Sequence, residues 1–373
     1  MGAPSQLDDL TQLTHAFSAA AIDPALWEAA MDTAARVTGS AGAVLLPLRG
    51  HLPTVPVSES VGDLFEAYSR GGWYSRDARH AGVPAMLRNG VMSDFDLTGA
   101  VNFARDPFYQ ELLAPFGMRW FAGVKIAAGD DLWCLAIQRS LKEGPLSSSD
   151  LRRLGALSQS LSSAAALARA VGFARADAAS DALAMSGSAA ILIDRFGEIL
   201  RINKAAEQIL GSQDLRIVKR RLICWDGAAT AALDRTLRDL IWRTDDSSLR
   251  PAVVLPRREG YPVLAYPSRL SAVAADCFSP CQAVVVLVDL EGRVGLVESD
   301  LIRAFNLTPA EARLANRLLG GASVEVAAKE LCIAYETSRN QMKAIFQKTG
   351  THRQGQLISL LAHFSAPPKQ GLG

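Results

Sequence analysis

The sequence predicts a multidomain α+β protein in which two domains that mix helices and strands precede an all-helical module. Two observations lead to this fold class. At 373 residues the chain is too long for one ordinary core, so two to three domains are expected. Short apolar runs that are typical of strands occur between helical patterns up to about residue 292, and the pattern beyond residue 305 is helical throughout.

Residues 1–145 are predicted to form an α/β sensor domain. Asp23 fits the N-cap of a helix, and Pro24 then occupies the first helical position. Three strands are predicted, over residues 41–48, 120–127 and 131–140. The last two are joined by AGDD, which is typical of a hairpin, and we expect Asp130 and Asp131 to lie in a solvated turn.

Residues 146–182 are predicted to form one long connector helix. Its apolar side chains recur at spacings of three and four, at Leu151, Leu154, Leu157, Leu161, Ala165 and Ala168. Two alternatives explain this narrow stripe. The helix packs on its own domain, or it pairs with its twin as a coiled coil in a dimer. Small alanines fit close helix packing in either case, so the sequence leaves both open.

Residues 183–292 are predicted to form a single antiparallel sheet with helices on one side. A strand, a turn, a strand and a short helix open this unit, at residues 189–193, Asp194–Gly197, 198–202 and Asn203–Leu210. A helical stretch near residues 226–243 follows. Three more strand candidates lie in PAVVLP, YPVLAYPSRL and CQAVVVLVDL, which brings the predicted number of strands to five.

The central unit resembles a PAS domain. The matching positions are Ile191-Leu192-Ile193-Asp194, Gly197, Ile199, Asn203, Ala205-Ala206 and the strand Val284–Asp289. The resemblance implies a sensory or dimerising module, and fold analogy alone names no ligand. Residues 183–292 contain no histidine, which excludes histidine-ligated haem in this unit.

The remaining chain divides into a linker, a helical module and a disordered tail, predicted at residues 293–304, 305–365 and 366–373. Thr308 and Glu311 form a capping box around Pro309, which marks the start of the first helix of the module. Gly320-Gly321 is predicted to end that helix, and Ser323 is predicted to cap the second.

The third helical pattern, YETSRNQMKAIFQKTG at residues 335–350, has an apolar face and a basic, amide-rich face. Met342, Ile345 and Phe346 share the apolar face. From Thr337 through Arg353 there are four basic residues and no acidic one. Two short helices, a tight turn and a polar third helix predict a helix-turn-helix, whose third helix suits the major groove of DNA.

This module resembles the LuxR-type helix-turn-helix of bacterial transcription regulators. The match includes Leu307-Thr308-Pro309-x-Glu311, Gly321-x-Ser323, Ala327-Ala328-x-x-Leu331, Ile333, Thr337, Asn340, Ile345, Lys348-Thr349-Gly350 and Arg353. The resemblance implies a DNA-binding dimer. Carried over by position, it implies that the residues facing DNA are Thr337, Arg339, Asn340, Gln341, Lys343, Lys348 and Arg353, with Lys348 on the DNA backbone.

Two positions depart from the pattern of that family. Ala334 stands where serine is usual, so the N-cap of the third helix is missing, which costs roughly 1 kcal/mol. Gln341 stands where histidine is frequent. Glutamine can still bond a phosphate or an adenine edge, so this departure bears on sequence preference and not on DNA binding itself.

The N-terminal domain is rich in aromatic residues. AYSRGGWYSRDAR at residues 67–79 and DPFYQELLAPFGMRWFAGVKI at residues 106–126 resemble GAF-like or autoinducer-binding sensor domains. That resemblance implies a pocket with aromatic walls and a few polar anchors, which suits a small, mostly apolar ligand. The candidate ligand-binding residues are Trp73, Tyr74, Asp77 and Trp120. The alternative is that these aromatic side chains simply fill a core.

Several classes of protein are disfavoured by the sequence. GxSxG, HExxH, a P-loop and a GxGxxG after a strand are absent, so we expect no enzyme. No metal site and no cofactor are expected either. The five cysteines are scattered without a CxxC pair, and no signal peptide or membrane span is evident, which together favour a cytoplasmic protein. The net charge is only +1, so nucleic acid must meet a local patch.

These observations predict a ligand-responsive transcription regulator. We expect it to bind a roughly palindromic operator on double-stranded DNA as a homodimer, with RNA polymerase as a further candidate partner. We expect a small, mostly apolar effector to switch it, a class that includes aromatic molecules. The alternative is a regulator controlled through protein–protein contacts of its PAS-like and connector segments, without a small-molecule ligand.

Overall fold

The computed structural model describes residues 10–50, 54–97, 101–211, 213–242, 250–269, 276–290 and 298–365. The described residues separate into two compact units. One contains the chain up to Ala184 with Ala189–Pro256 and Leu264–Leu287, and the other contains the short segments between these together with the chain beyond Leu287. The predicted tail at 366–373 and part of the predicted linker at 293–304 lie outside the described residues.

The first part of the larger unit is a four-stranded antiparallel sheet with helices on both faces. The strands stand in the order β1-β4-β3-β2 and are β1 (Gly42–Pro47), β2 (Val91–Ser93), β3 (Met118–Ala128) and β4 (Asp131–Ser140). The helices are α1 (Thr11–Ile22), α2 (Trp27–Val37), α3 (Gly62–Arg70) and α4 (Val83–Asn89). Asp23 caps a 3₁₀ turn, Pro24–Leu26, that leads into α2.

The two faces of this sheet differ in what covers them. Val124, Leu135 and their alternate neighbours point toward α1 and α2, in a core that includes Phe17 and Trp27. Phe121 and Cys134 point to the opposite face, where Met86 of α4 packs in the same cluster and Arg79 stacks over the Phe121 ring. Alternation along β3 and β4 therefore serves two buried layers, because successive side chains of a strand point to opposite faces.

The connector is one helix, α5 (Ser148–Met185). Its stripe packs within its own chain, because Leu154, Leu161, Ala165 and Ala168 belong to the core on the α1–α2 face of the sheet. The first of the two alternatives for the stripe is therefore the one that the structure shows. A coiled coil through these residues would have to remove them from that core.

Asp131 lies at the start of β4 and is not the solvated turn residue that the sequence predicted. Its carboxylate accepts hydrogen bonds from Arg169 of α5 at 2.9 Å and from Arg195 at 2.7 Å. Phe278 reinforces this junction, because its ring packs at 5.2 Å from that of Trp27 and at 4.8 Å from that of Trp133. The hairpin thus joins the connector and the central segment.

The central segment contains a five-stranded antiparallel sheet in the order β6-β5-β11-β10-β9 and a separate hairpin, β7-β8. The strands are β5 (Ala189–Ile193), β6 (Ile199–Ile202), β7 (Leu215–Val218), β8 (Arg221–Cys224), β9 (Val253–Leu255), β10 (Val263–Arg269) and β11 (Ala283–Asp289). The helices are α6 (Lys204–Leu210), capped by Asn203, and α7 (Gly227–Trp242).

Helices lie on both faces of the five-stranded sheet, whereas the sequence predicted helices on one face only. Leu233 and Leu237 of α7 face one side. Ala176 of α5 is buried against Ala190 and Leu192 on the other side. The prediction assigned the connector to a separate element and so missed this contact.

The smaller unit contains α8 (Glu298–Phe305), α9 (Pro309–Leu319), α10 (Val324–Glu330), α11 (Tyr335–Thr349) and α12 (Gln354–Ser365). One apolar core joins them, with Leu314 and Leu318 of α9, Met342 and Ile345 of α11, and Leu357 of α12. The chain is thus a multidomain α+β protein whose last unit is helical, as the sequence predicted.

None of the helices that the structure describes is long and apolar enough to span a membrane.

Candidate functional site

The smaller unit positions α11 by locally encoded helix ends. The Thr308 hydroxyl accepts a hydrogen bond from the Glu311 amide, and the Glu311 carboxylate accepts one from the Thr308 amide, which completes the predicted capping box. Ser323 caps α10 through the amide of Val326 at 3.2 Å. Both N-terminal signals read from the sequence are therefore confirmed.

The α11 helix has one buried face and one exposed face. Met342 and Ile345 are buried, as is Ser338, whose hydroxyl donates to the Tyr335 carbonyl at 2.6 Å. Those buried residues fix the rotation of the helix. The exposed predicted residues on α11 are Thr337, Arg339, Asn340, Lys343 and Lys348.

Most of the exposed α11 side chains have few partners within the protein. Arg339 approaches Glu336, one turn earlier, at 3.6 Å, and both side chains are more than half exposed. A contact of this kind in solvent contributes little to stability. Arg353, between α11 and α12, is exposed as well. The face therefore presents cationic and amide groups that protein packing does not use.

Lys348 differs from the other predicted residues because its ammonium group donates a hydrogen bond to a carboxylate that is largely buried. It donates to Glu311 Oε2 at 2.7 Å, so it links the end of α11 to the capping box of α9. Burial raises the pKa of the Glu311 carboxyl, but hydrogen bonds from Lys348 and Thr308 outweigh burial and hold it below its ordinary value. We therefore expect Lys348 to orient α11 first and to meet a phosphate second.

Gln341 and Ala334 show what the two departures from the family pattern do. The side-chain oxygen of Gln341 is buried and accepts no hydrogen bond from the residues that the structure describes. This end of the side chain therefore points inward, away from the exposed face. Ala334 occupies the N-cap with an extended backbone (φ −66°, ψ 143°) and, as expected, makes no side-chain cap.

In the N-terminal domain, the four predicted ligand residues have different surroundings. Trp73 is buried with its ring edge-on to Phe108 at 6.2 Å between centroids. Tyr74 is half-buried and donates to the Leu48 carbonyl at 3.2 Å. Asp77 is buried, and Trp120 is half-buried. All four lie in or beside the layer on the α4 side of the sheet.

Asp77 belongs to a buried ion pair with Arg79. The Asp77 carboxylate accepts from Arg79 Nε at 2.8 Å and from Nη2 at 2.7 Å. Burial raises the pKa of Asp77, but the charge and hydrogen bonds of Arg79 outweigh it, so the net pKa lies below its ordinary value. The Arg79 guanidinium also stacks over Phe108 and Phe121, at 4.5 and 4.6 Å. Both oxygens of the Asp77 carboxylate are thus already hydrogen-bonded within the protein.

A hydrogen-bonded chain joins Asp77 to Trp120. Arg79 donates to the Gln138 side-chain oxygen at 3.2 Å, and the Gln138 amide donates to the Trp120 carbonyl at 3.0 Å. The structure therefore brings two of the four predicted residues into one network. The sequence interpretation missed the two residues that connect them, although Arg79 immediately follows the aromatic cluster.

A second buried carboxylate, Asp94, lies in the same layer. It accepts a hydrogen bond from the Tyr109 hydroxyl at 2.6 Å and another from the Phe121 amide at 2.6 Å. Burial raises the pKa of Asp94 above its ordinary value, although these hydrogen bonds act against it. The Arg119 guanidinium stands beside it, over the rings of Phe103, Tyr109 and Trp120. The sequence interpretation included Trp120 but not its neighbour.

The central sheet also has a small cleft beneath α7. Its volume is about 10 Å³, which is room for roughly one water molecule. Asp234 stands at its edge, 3.7 Å from Arg221. The cleft is lined by Ile191, Ile193, Gly197, Ile199, Leu222, Leu233, Leu237 and Val285.

No family model matches the sequence, and no curated protein matches it. A Vibrio cholerae VqmA dimer, presented as a LuxR-type receptor, aligns with 18% identity and a TM-score of 0.20 over 48% of this chain and 82% of that one. The V. cholerae VqmA–ligand–DNA complex aligns with 18% identity and a TM-score of 0.21 over 48% and 84%. The E. coli DhaR(N)–DhaL complex aligns with 11% identity and a TM-score of 0.25 over 78% and 93%. TM-scores of this size support neither a shared fold nor a shared function.

Proposed function

We propose that this chain is a bacterial, cytoplasmic transcription regulator that binds double-stranded DNA through α11. The observation that carries the proposal is the exposed face of α11, where Thr337, Arg339, Asn340 and Lys343 stand on a helix held by a buried opposite face. Arginine and asparagine read base edges bidentately in the major groove, and lysine meets phosphates.

The preceding helices suit this role. In a helix-turn-helix the third helix enters the groove while the earlier helices hold it against the backbone. Here the capped α9 and α10 pack on α11 through a common core. A homodimer would present two such helices to a roughly palindromic operator, and the sensor-type domains would set their geometry. RNA polymerase is then a natural further partner.

The first test measures binding to a short mixed-sequence duplex by fluorescence anisotropy at several salt concentrations. Lys343→Ala should weaken binding and lower the slope of log affinity against log salt by about 1, because one phosphate contact is lost. Lys204→Ala, which removes an exposed lysine in the central domain, is the matched control and should leave the slope unchanged. Equal salt slopes for Lys343→Ala and the wild type would show that α11 is not part of the DNA interface.

A small-molecule effector in the N-terminal domain completes the proposal. It is supported by the aromatic and polar layer around Trp73, Asp77 and Trp120. Any effector acts only through its different affinities for the two states of the regulator. Trp120→Ala should therefore change the response of DNA binding to effector. The affinity of the effector-free protein for DNA should stay within about twofold, since the ring contacts of Trp120 are with Phe95 and Arg119 of its own domain.

A second candidate, control through protein–protein contacts, is favoured by the outer face of β9 and β10. Val254 and Tyr266 are both exposed there, whereas their strand neighbours Leu255 and Ala265 are buried. Light scattering on the full chain tests it. If this face pairs two copies, Val254→Glu with Tyr266→Glu should convert dimer to monomer, and an unchanged mass excludes the face as the dimer contact.

A further inference from the structure

Arg119 is a half-enclosed guanidinium among aromatic rings. Its side chain is 21% exposed. The guanidinium carbon lies 4.3 Å from the ring centroid of Phe103, 5.1 Å from that of Tyr109 and 4.4 Å from that of Trp120. Such cation–π contacts hold the cation in place, but they satisfy none of its N–H groups.

The donors of Arg119 have no acceptor among the described residues. Its Nη1 atom is buried and unpaired. The neighbouring carboxylate oxygen, Asp94 Oδ2, is 3.9 Å away, which is longer than a hydrogen bond. Both Asp94 oxygens are already bonded, to Tyr109 and to the Phe121 amide. Asp94 therefore pairs with the charge of Arg119 but accepts none of its hydrogen bonds. Buried polar groups are almost always hydrogen-bonded, so this guanidinium lacks an expected hydrogen-bond acceptor.

Arg79 provides the contrast within the same layer. Its guanidinium also stacks on two rings, but it bonds both oxygens of Asp77 and the side chain of Gln138. The fold therefore saturates one arginine and leaves the other with free donors. A guanidinium with two parallel free N–H groups matches a carboxylate bidentately.

The surroundings of Arg119 suit a flat molecule. Phe95 stacks against Trp120, with 6.2 Å between centroids and 30° between planes. Phe95 is 56% exposed as a residue, so its ring is accessible to solvent beside the cation. Stacked aromatic rings favour a planar, conjugated partner.

We infer that Arg119, Trp120 and Phe95 bind a planar organic carboxylate, with the guanidinium holding the carboxylate and the two rings stacking on the conjugated body. The inference rests on the proposed effector role of this domain and gives the effector a chemical class. It differs from the expectation of a mostly apolar ligand anchored by Asp77, because Asp77 is taken by Arg79.

The test uses the full chain with benzoate, cinnamate and 2-naphthoate as probes, and with the three matching neutral amides. Binding is followed by tryptophan fluorescence and thermal shift. At least one acid should bind and raise the melting temperature, and its amide should bind at least about tenfold more weakly, since it lacks the charge. Arg119→Gln should abolish the preference for the acid, and Arg119→Lys should restore part of it.

Two further variants keep the inference testable if the arginine changes perturb folding. Phe95→Ala removes an exposed ring, so it should leave the fold intact and weaken binding of the acid by several fold. Arg70→Gln, on the exposed end of α3, is the control and should bind the acid as the wild type does. Lack of binding by all three acids, or equal binding by wild type and Arg119→Gln, overturns the inference. Because DNA binding is measured separately through Lys343→Ala, such a result leaves the proposed DNA interface standing.

Discussion

The buried polar layer of the N-terminal domain and the exposed face of α11 use the same residue types in opposite ways. In the first, Arg79 and Asp77 are enclosed and hydrogen-bonded to each other. In the second, Arg339 and Lys343 project into solvent, and the anion near Arg339 is Glu336, whose side chain is even more exposed. The chemistry that one region uses to hold itself together is left available for a partner in the other.

The comparison shows that residue type alone does not identify a binding residue. Asp77 and Trp73 were selected as ligand contacts because they lie in an aromatic-rich stretch that resembles sensor domains, and the structure buries both. Asn340 and Lys343 were selected from the resemblance to the LuxR-type helix-turn-helix, on the polar face of the third helical pattern, and the structure exposes both. Mutations in the two regions should therefore separate stability from binding.

The largest effect is expected from Asp77→Ala. Removing one partner of a buried ion pair leaves an uncompensated charge, which costs about 3–5 kcal/mol. The free energy of unfolding, from chemical denaturation, should fall by this amount. Glu66→Ala, which breaks the exposed pair with Arg70, is the control and should cost less than about 1 kcal/mol. The double change Asp77→Leu with Arg79→Met should recover much of the loss. If Asp77→Ala were no worse than Glu66→Ala, the pair would not organise the layer.

Substitutions on the exposed face of α11 are expected to change DNA binding and to leave the stability of the protein nearly unchanged. Arg339→Ala and Asn340→Ala should change the free energy of unfolding by no more than about 0.5 kcal/mol, because both side chains are exposed. Each should instead reduce DNA-binding free energy by about 1–3 kcal/mol and relax preference at one base position. Denaturation and anisotropy on the same preparations check both halves. A large loss of stability with unchanged DNA binding would show that these α11 side chains stabilise the fold and do not contact DNA.

Ala334→Ser sharpens the comparison by changing the helix end without changing the exposed face. The backbone at Ala334 already has the extended conformation of an N-cap, so a serine hydroxyl can accept a free amide of the first turn. The variant should gain about 1 kcal/mol in stability. Ala344→Ser places the same residue within the helix and should gain nothing, as melting curves of the two variants will show.

The smallest effect is the pH response of the Lys348–Glu311 bond. The pKa of Glu311 is held below its ordinary value of 4.5, so the folded form binds the proton less tightly than the unfolded form. Its contribution to stability is present above about pH 4.5 and is lost as the pH falls through the lower, folded-state pKa. Unfolding of wild type and Glu311→Gln between about pH 6 and about pH 3 should show the difference between them shrinking with acid. A constant difference would mean that the bond is not formed in solution.

Local signals were the most predictable part of the fold. The caps at Thr308 and Ser323 occur where the sequence placed them, because a cap depends on a few adjacent residues. The β3–β4 hairpin was likewise predicted from alternation and a Gly-Asp turn. The exposed face of α11 followed from its helical spacing.

The β7–β8 hairpin was missed because its turn breaks the local rule. Lys219 and Arg220 both have positive φ, at 48° and 61°, a conformation for which glycine or asparagine is usual. Distant contacts stabilise it, since Arg220 pairs with Asp194 and Glu198 at 3.1 Å. The sequence also could not show that Arg119 lacks a hydrogen-bond acceptor. That follows from the fold, in which Asp94 already bonds the Tyr109 hydroxyl and the Phe121 amide.

The central claim is that the exposed face of α11 reads DNA sequence. The most direct measurement is selection of bound sites by the full-length protein from a randomised duplex pool, in parallel with Arg339→Ala/Asn340→Ala. The wild type should enrich an inverted repeat with half-sites about one helical turn apart, and the variant should lose the base preference within each half-site. Enrichment of the same site by both proteins, or of no site by the wild type, would contradict the claim.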